Sequence, residues 1–332
     1  MLPNVKTNSR FIQEAVTRCR RLKDAPFTIV DVGASGGVSP VWGQFGADAR
    51  IIGFEPNGDE AGKDVFPDNV QIYPIGLGRR AGTQELRICK FPYASHTLPI
   101  DETFWKRFPN YDYFELDRLE TIEVIDFDGF AATNGIGPVD FFKLDTEGTE
   151  LEILRGAENA LTQSVLGVQI EVGFDQYHVG RAVFADVDIF MREHGFSLFE
   201  LCPLRLARSA LPHLHAVDVA PASYGQMLWG DALYLRDLMV EANRDFAQSP
   251  AMVLKTICLY DIFGYPDCAV ELLEWAIAQG VLPPELWQAS PHLVPNIFQR
   301  RTTVEYHRSL YKTLGQWVMG GYARTKGGQL ED

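Results

Sequence analysis

The spacing of apolar and polar positions changes period several times along the chain. Between residues 9 and 24, Phe11, Ile12, Ala15, Val16, Cys19 and Leu22 recur near helical spacing and predict an amphipathic helix in an N-terminal segment of residues 1–25. Pro26 separates it from Phe27-Thr28-Ile29-Val30-Asp31-Val32, a β-branched run that predicts the first strand. A glycine-rich turn follows, then short apolar runs at 50–55 and 70–75, each closed by turn residues. That rhythm predicts a βαβαβ unit. Residues 82–125 break it, with an added strand at 84–89, an aromatic stretch from Phe91 to Phe114, and an alternating strand at 121–124. A strand at Phe141, a helix through Leu161, a strand over 166–172, a helix around 185–194 and strands at 196–201 and 231–235 continue the α/β pattern. After Asp237 the spacing is helical almost throughout, as in Ala269, Leu272, Leu273, Ala276 and Ile277 ahead of Gly280. The pattern predicts a doubly wound α/β domain over 26–237, a helical C-terminal domain over 238–325 and a polar, disordered tail over 326–332.

Composition narrows the class. The chain has 332 residues and a net charge of −14, which argues against a nucleic-acid-binding face, because phosphate neutralisation needs clustered Lys and Arg. The one basic cluster, Arg18, Arg20, Arg21 and Lys23, reads as the solvated face of the N-terminal helix. Five scattered cysteines without CxxC spacing fit reduced thiols rather than a disulfide framework or a zinc site. Neither a signal-peptide core nor an apolar run of membrane-spanning length is present, so a cytoplasmic protein is expected.

The chemistry concentrates where strands end. Phe141-Phe142-Lys143-Leu144-Asp145-Thr146-Glu147-Gly148-Thr149-Glu150-Leu151-Glu152 runs from an apolar strand straight into carboxylates. In an open α/β sheet, ligands sit outside the carboxyl ends of the strands. Thr149 with Glu152 fits a capping box, and Glu147 and Glu150 suit a helix N-terminus, so Glu150 and Glu152 read mainly as capping residues. Asp145 differs, because it closes an apolar strand where a charge needs a partner or solvent. Lys143 shares its strand face and is a candidate partner for Asp145 or Glu171.

The turn after the first strand reads Asp31-Val32-Gly33-Ala34-Ser35-Gly36-Gly37. Glycine there allows a tight turn and a close backbone approach to a ligand. The spacing is D-x-G-x-x-G-G rather than GxGxxG, and a carboxylate before the loop suits a ligand with an amino group better than a pyrophosphate. Glu55 ends the second strand roughly 20 residues later, where an acid can take both hydroxyls of a ribose. A ribose occurs in both NAD and S-adenosylmethionine, so Glu55 does not separate them.

Taken with Gly53-Phe54-Glu55-Pro56, Leu154-Arg155-Gly156-Ala157 and Val168-Gln169-Ile170-Glu171-Val172, these strings resemble the FkbM-type methyltransferase family across roughly residues 26–237. The resemblance implies a class I S-adenosylmethionine-dependent methyltransferase, a Rossmann-like seven-stranded doubly wound sheet, here with a helical C-terminal region. It also implies methylation of oxygen, often a hydroxyl of a sugar, polyketide or other secondary metabolite. Cofactor contacts are expected from Asp31, Gly33, Ala34, Ser35, Gly36 and Glu55, and the catalytic candidates are Asp145, first for orienting or deprotonating the acceptor, then Glu147 and Glu171, with His178 as a further base. An alcohol needs its proton accepted before it attacks a methyl group, which a placed Asp, Glu or His can do. Convergent carboxylates could instead hold Mg²⁺ or a similar hard cation, a possibility that is open but not favoured. His96 is a further base candidate if the aromatic segment covers the pocket, whereas His213 and His215 lack a third ligand for zinc. The expected partner is a small-molecule or saccharide acceptor, with the C-terminal helices able to support an oligomer. The rival readings are a methyltransferase-like binding or scaffold protein working through those helices, and a nicotinamide-dependent oxidoreductase.

Overall fold

All six residues of β1 (Phe27–Val32) are buried, as expected of a central strand covered on both faces. In the computed structural model, which describes residues 2, 5–35, 37–58, 67–210 and 225–294, β1 pairs in parallel with β2 (Ala49–Phe54), which pairs in turn with β3 (Val70–Tyr73). A short β4 (Gly76–Leu77), β5 (Gly82–Cys89) and β6 (Leu116–Ile125) form a separate three-stranded sheet in the order β4-β6-β5. β7 (Phe141–Leu144), β8 (Gly167–Gly173), β9 (Ser197–Leu206) and β10 (Gln226–Leu235) complete a seven-stranded sheet ordered β3-β2-β1-β7-β8-β10-β9. β10 lies antiparallel between β8 and β9. The strand order reverses between β1 and β7, so the crevice for a ligand opens at their carboxyl ends.

Side-chain alternation sends the two faces into different cores. Phe27, Ile29 and Phe141 join one apolar cluster with Trp42, Phe45 and the C-terminal helices. Val30, Val32, Phe142 and Leu144 join the other, against the helices of the opposite layer. Those helices include α2 (Phe127–Asn134), α3 (Glu150–Arg155), α4 (Glu158–Gln163) and α5 (Phe184–Glu193); a single turn, α1 (Glu102–Trp105), lies in the aromatic insertion. α6 (Pro250–Phe263) starts at Ser249, whose side chain accepts from the Met252 N–H, and stops at left-handed Gly264. α7 (Pro266–Ala278) then packs back against it. Lys255 of α6 reaches the other end of the sheet, where its Nζ donates to both Asp140 oxygens and to the Pro26 carbonyl.

Several elements differ from their sequence expectations. The N-terminal helix is a π-helical stretch over Ile12–Thr17, followed by turns in which Arg20 takes a positive φ. The link from β1 to β2 is not an α-helix but a 3₁₀ segment over Pro40–Asp48, kinked at Gly46. The helix expected through Leu161 is two helices broken at Gly156, where a β-carbon would stand 2.1 Å from the Gly78 carbonyl oxygen. Strand β10 begins at Gln226, five residues before the expected Asp231. Gly36, His213, His215 and the chain beyond Val294, including the tail, lie outside the described residues.

Candidate active site

β1 and β7 bring their loops together in register. Asp31 pairs with Lys143 across the two strands, and their side chains share a face. The Lys143 ammonium lies 3.4 Å from Asp31 Oδ1 and 3.4 Å from Asp145 Oδ2, and donates to the Gly33 carbonyl at 3.2 Å. Burial pushes the Asp31 carboxyl up to about 6 in spite of Lys143, which pulls it down. Lys143 thus links the first loop to the β7 end, and it does not pair with Glu171.

A cleft of about 330 Å³ opens above these loops. Gly33, Ser35 and Glu55 form part of its wall on the β1–β2 side, and Asp145, Thr146 and Glu147 face them. Glu55 is buried, with Oε1 accepting the Asn57 N–H at 2.9 Å. Asp31 and Ala34 are also buried and are not among the residues lining the cleft. The small sheet closes one side through Gln84, Leu86, Ile122 and Val124. Ser35 Oγ is buried without a hydrogen-bond partner among the described residues.

The carboxylates converge on the opposite wall. Leu144 pairs with Ile170, so the next residues along stand side by side, Asp145 just past β7 and Glu171 two residues before the end of β8. Asp145, Glu147 and Glu171 each offer an oxygen within 4.8 Å of the others, a set able to hold a hard cation. Glu147 has a left-handed backbone, φ 59°, an uncommon state for a non-glycine residue and one found disproportionately at functional sites. Burial and the neighbouring Asp145 raise its carboxyl to about 8. Burial, then Glu147 and Asp145, raise Glu171 well above the carboxylate range.

Besides Lys143 at Asp145, a second cation, Arg181, faces this group. Its side chain is 1% exposed, with Nη2 3.5 Å from Glu171 Oε1 and 4.0 Å from Glu150 Oε2, and its guanidinium lies 4.5 Å from the Tyr177 ring centroid. Sequence reasoning missed Arg181, because a lone arginine in a loop carries no spacing signal. Glu150 does not serve as a simple helix-end charge. Its Oε1 accepts from the Thr146 and Gly148 N–H groups and from the Thr146 hydroxyl, tying down the loop that carries Glu147. The expected capping box is absent: the Thr149 side chain makes no cap bond to the helix, and Glu152 pairs with Arg155.

The histidines divide. His178 is fully buried against His96, Tyr177 and Phe114, and neither ring nitrogen has a partner among the described residues. Burial, helped by Arg181, lowers it to about 2, so the imidazole stays neutral and stands outside the carboxylate group. His96 does line the cleft, with Nδ1 2.8 Å from the Ala94 carbonyl. The aromatic insertion reaches the site because its backbone is pinned there: Asp101 N–H donates to Tyr177 O and Val179 N–H to Pro99 O.

The sheet order, the antiparallel β10 and the glycine loop facing an acidic strand end define the fold of class I S-adenosylmethionine-dependent methyltransferases. A family profile described as the Methyltransferase FkbM domain matches residues 31–198, half of the chain, and the protein belongs to that family. Among solved structures, the chain is similar to the methyltransferase FkbM from Methylobacillus flagellatus KT, with 16% identity, a TM-score of 0.34, and 63% of this chain and 43% of that one covered. It therefore spans less than half the length of that protein. It is also similar to the magnesium protoporphyrin IX methyltransferase from Synechocystis PCC 6803 with bound S-adenosylmethionine, with 10% identity, a TM-score of 0.33, and 67% and 77% of the two chains covered. A third is a methyltransferase from Aquifex aeolicus, with 10% identity, a TM-score of 0.29, and 68% and 91% covered. No curated protein matches the chain. Among the described residues, no helix is long and apolar enough to cross a membrane.

Proposed function

We propose that this protein is an S-adenosylmethionine-dependent O-methyltransferase acting on a hydroxyl of a saccharide or related metabolite. One observation carries the reading: a single cleft has Gly33, Ser35 and Glu55 on one wall and Asp145 and Glu147 on the other. The first wall suits the cofactor. Glu55 can accept from both ribose hydroxyls, the unpartnered Ser35 hydroxyl offers a polar contact, and the Gly33 turn brings backbone to the ligand. When bound, S-adenosylmethionine supplies a methyl group on a sulfonium leaving group, so the chain has only to align an acceptor and take its proton.

Glu147 is the base. Its carboxyl, raised to about 8, is matched to accepting a hydroxyl proton near neutral pH. Asp145 keeps Glu147 basic through its charge and orients the acceptor from the half-exposed rim. Glu171 holds the second proton-binding position, and Arg181 limits the repulsion among the carboxylates. Because Arg181 already supplies a positive charge to the cluster, a metal-free reaction is favoured over one using a divalent cation. The five free cysteines fit the reducing cytoplasm.

Calorimetry with S-adenosylhomocysteine tests the cofactor site. Absence of binding by the pure protein, with Glu55→Ala behaving like the parent, ends the assignment. A methyl-transfer screen over sugar nucleotides and glycolipid intermediates, with Asp145→Asn as control, tests the acceptor class.

A further inference from the structure

A second cavity, about 210 Å³, lies behind the carboxylates and is walled largely by the aromatic insertion. Its deeper wall includes Trp105, Asn110, Tyr177 and Trp229, and its outer wall includes Phe91 and Tyr93, which are 40% and 59% exposed. Glu147 and Tyr93 line both this chamber and the cofactor-side cleft, so the two spaces meet at the proposed base.

Two polar atoms in the chamber wall residues have nothing to bond. Trp105 Nε1, a donor, and Asn110 Oδ1, an acceptor, are buried without partners among the described residues. Leaving such groups unpaired in a dry interior is costly, and a ligand that pairs them recovers that cost. Resting on the methyltransferase reading above, we infer that this chamber is the acceptor site, taking a single hydroxylated ring whose oxygens pair with Trp105 Nε1 and Asn110 Oδ1 after a small side-chain shift opens these two buried atoms to the chamber.

Three features define the occupant. The volume is below the ~300–1,000 Å³ of pockets that hold drug-sized ligands, which suits one ring rather than an oligosaccharide or macrocycle. Aromatic side chains on several sides offer faces for the C–H surface of a ring. The unpaired atoms are one donor and one acceptor: ring hydroxyls serve both, whereas an ammonium group would satisfy Asn110 and leave the Trp105 N–H unbonded. The space is filled by one ring, so any phosphate on the acceptor stays outside the chamber. Trp105 and Asn110 are accordingly specificity-determining residues that position a ring hydroxyl toward Glu147.

Saturation-transfer NMR on the full chain, with and without S-adenosylhomocysteine, tests this. The probes are the methyl α-pyranosides of glucose, galactose, mannose and rhamnose, with glucose 6-phosphate and cyclohexylammonium as contrasts. At least one pyranoside is expected to bind, more tightly than either contrast. Trp105→Phe and Asn110→Leu should each weaken it by about tenfold, while S-adenosylhomocysteine affinity, which reports an intact fold, stays at the parent value. The chamber is not the acceptor site if no pyranoside binds, if both variants bind as the parent does, or if cyclohexylammonium or glucose 6-phosphate binds better. Loss of S-adenosylhomocysteine binding in the parent counts against the proposed function instead, so the two failures are distinguishable.

Discussion

A β-carbon on Gly33 would stand 1.9 Å from the carbonyl oxygen of Asp145. The turn after β1 and the end of β7 are therefore in backbone contact, reinforced by the Asp145 N–H donating to Val32 O and by Lys143 donating to Gly33 O. The glycine at this position serves the junction of two strand ends as much as any ligand. The two walls of the cleft are joined at this contact.

That contact makes Gly33→Ala a severe substitution. Gly33 also has a φ of 77°, so alanine meets both a clash and a left-handed backbone. A loss of ~2 kcal/mol or more is expected in denaturant unfolding, with weaker S-adenosylhomocysteine binding in the folded fraction. A variant as stable as the parent would show that the junction gives way easily.

Glu55→Gln keeps the size of the side chain and its bond to Asn57 but removes the charge. Binding of S-adenosylhomocysteine should weaken ~10-fold, the scale of losing a charge-assisted hydrogen bond to a ribose hydroxyl. Unchanged calorimetry would remove Glu55 from the cofactor site.

The pH dependence follows from Glu147. Its base form grows as pH rises through about 8, so kcat should climb over that range and level off above it. Glu147→Gln should lower kcat by ~10²–10⁴-fold and abolish the climb. In Asp145→Asn, which removes one of the charges that raise Glu147, the climb should shift to lower pH. Stability runs the other way. The folded state holds the Glu147 proton to about 8 while the unfolded state releases it near 4.5, so between these values stability falls as pH rises. Thermal melts should show this decline, and it should be shallower in Glu147→Gln.

Activity in excess chelator separates the two uses of the carboxylate cluster. The structure of the site around Arg181 leads to an expectation of full turnover after prolonged dialysis against chelator. Lost activity that a divalent ion restores would reassign Asp145, Glu147 and Glu171 as ligands.

Lys255 tests how the C-terminal helices relate to the sheet. Lys255→Met leaves the buried Asp140 without its ion-pair partner and with only the Thr28 N–H, at a cost of ~3–5 kcal/mol. We propose that helices and sheet unfold as one unit, so the variant should melt in a single transition at lower temperature. A second, separate transition would define an independent C-terminal domain.

Much of this protein was legible in local pattern. The β-branched run at 27–32, the glycine turn, Glu55 after a second strand and the carboxylates after Phe141-Phe142-Lys143-Leu144 all appear as short strings, because strand periodicity and turn chemistry are properties of neighbouring residues. They were enough to resemble the right family and to anticipate that Asp145 and Glu171 would be neighbours. What tertiary structure alone decided concerns residues far apart in the chain. Arg181 meets Glu150 and Glu171, Trp105 and Asn110 are left unpaired beside Glu147, and His178 is neutral because other segments bury it. Glu150 turned back to its own loop instead of capping a helix, since three donors converge on it there. Proton affinity and pairing depend on which groups share a dry space, and that is set by packing rather than by spacing along the chain.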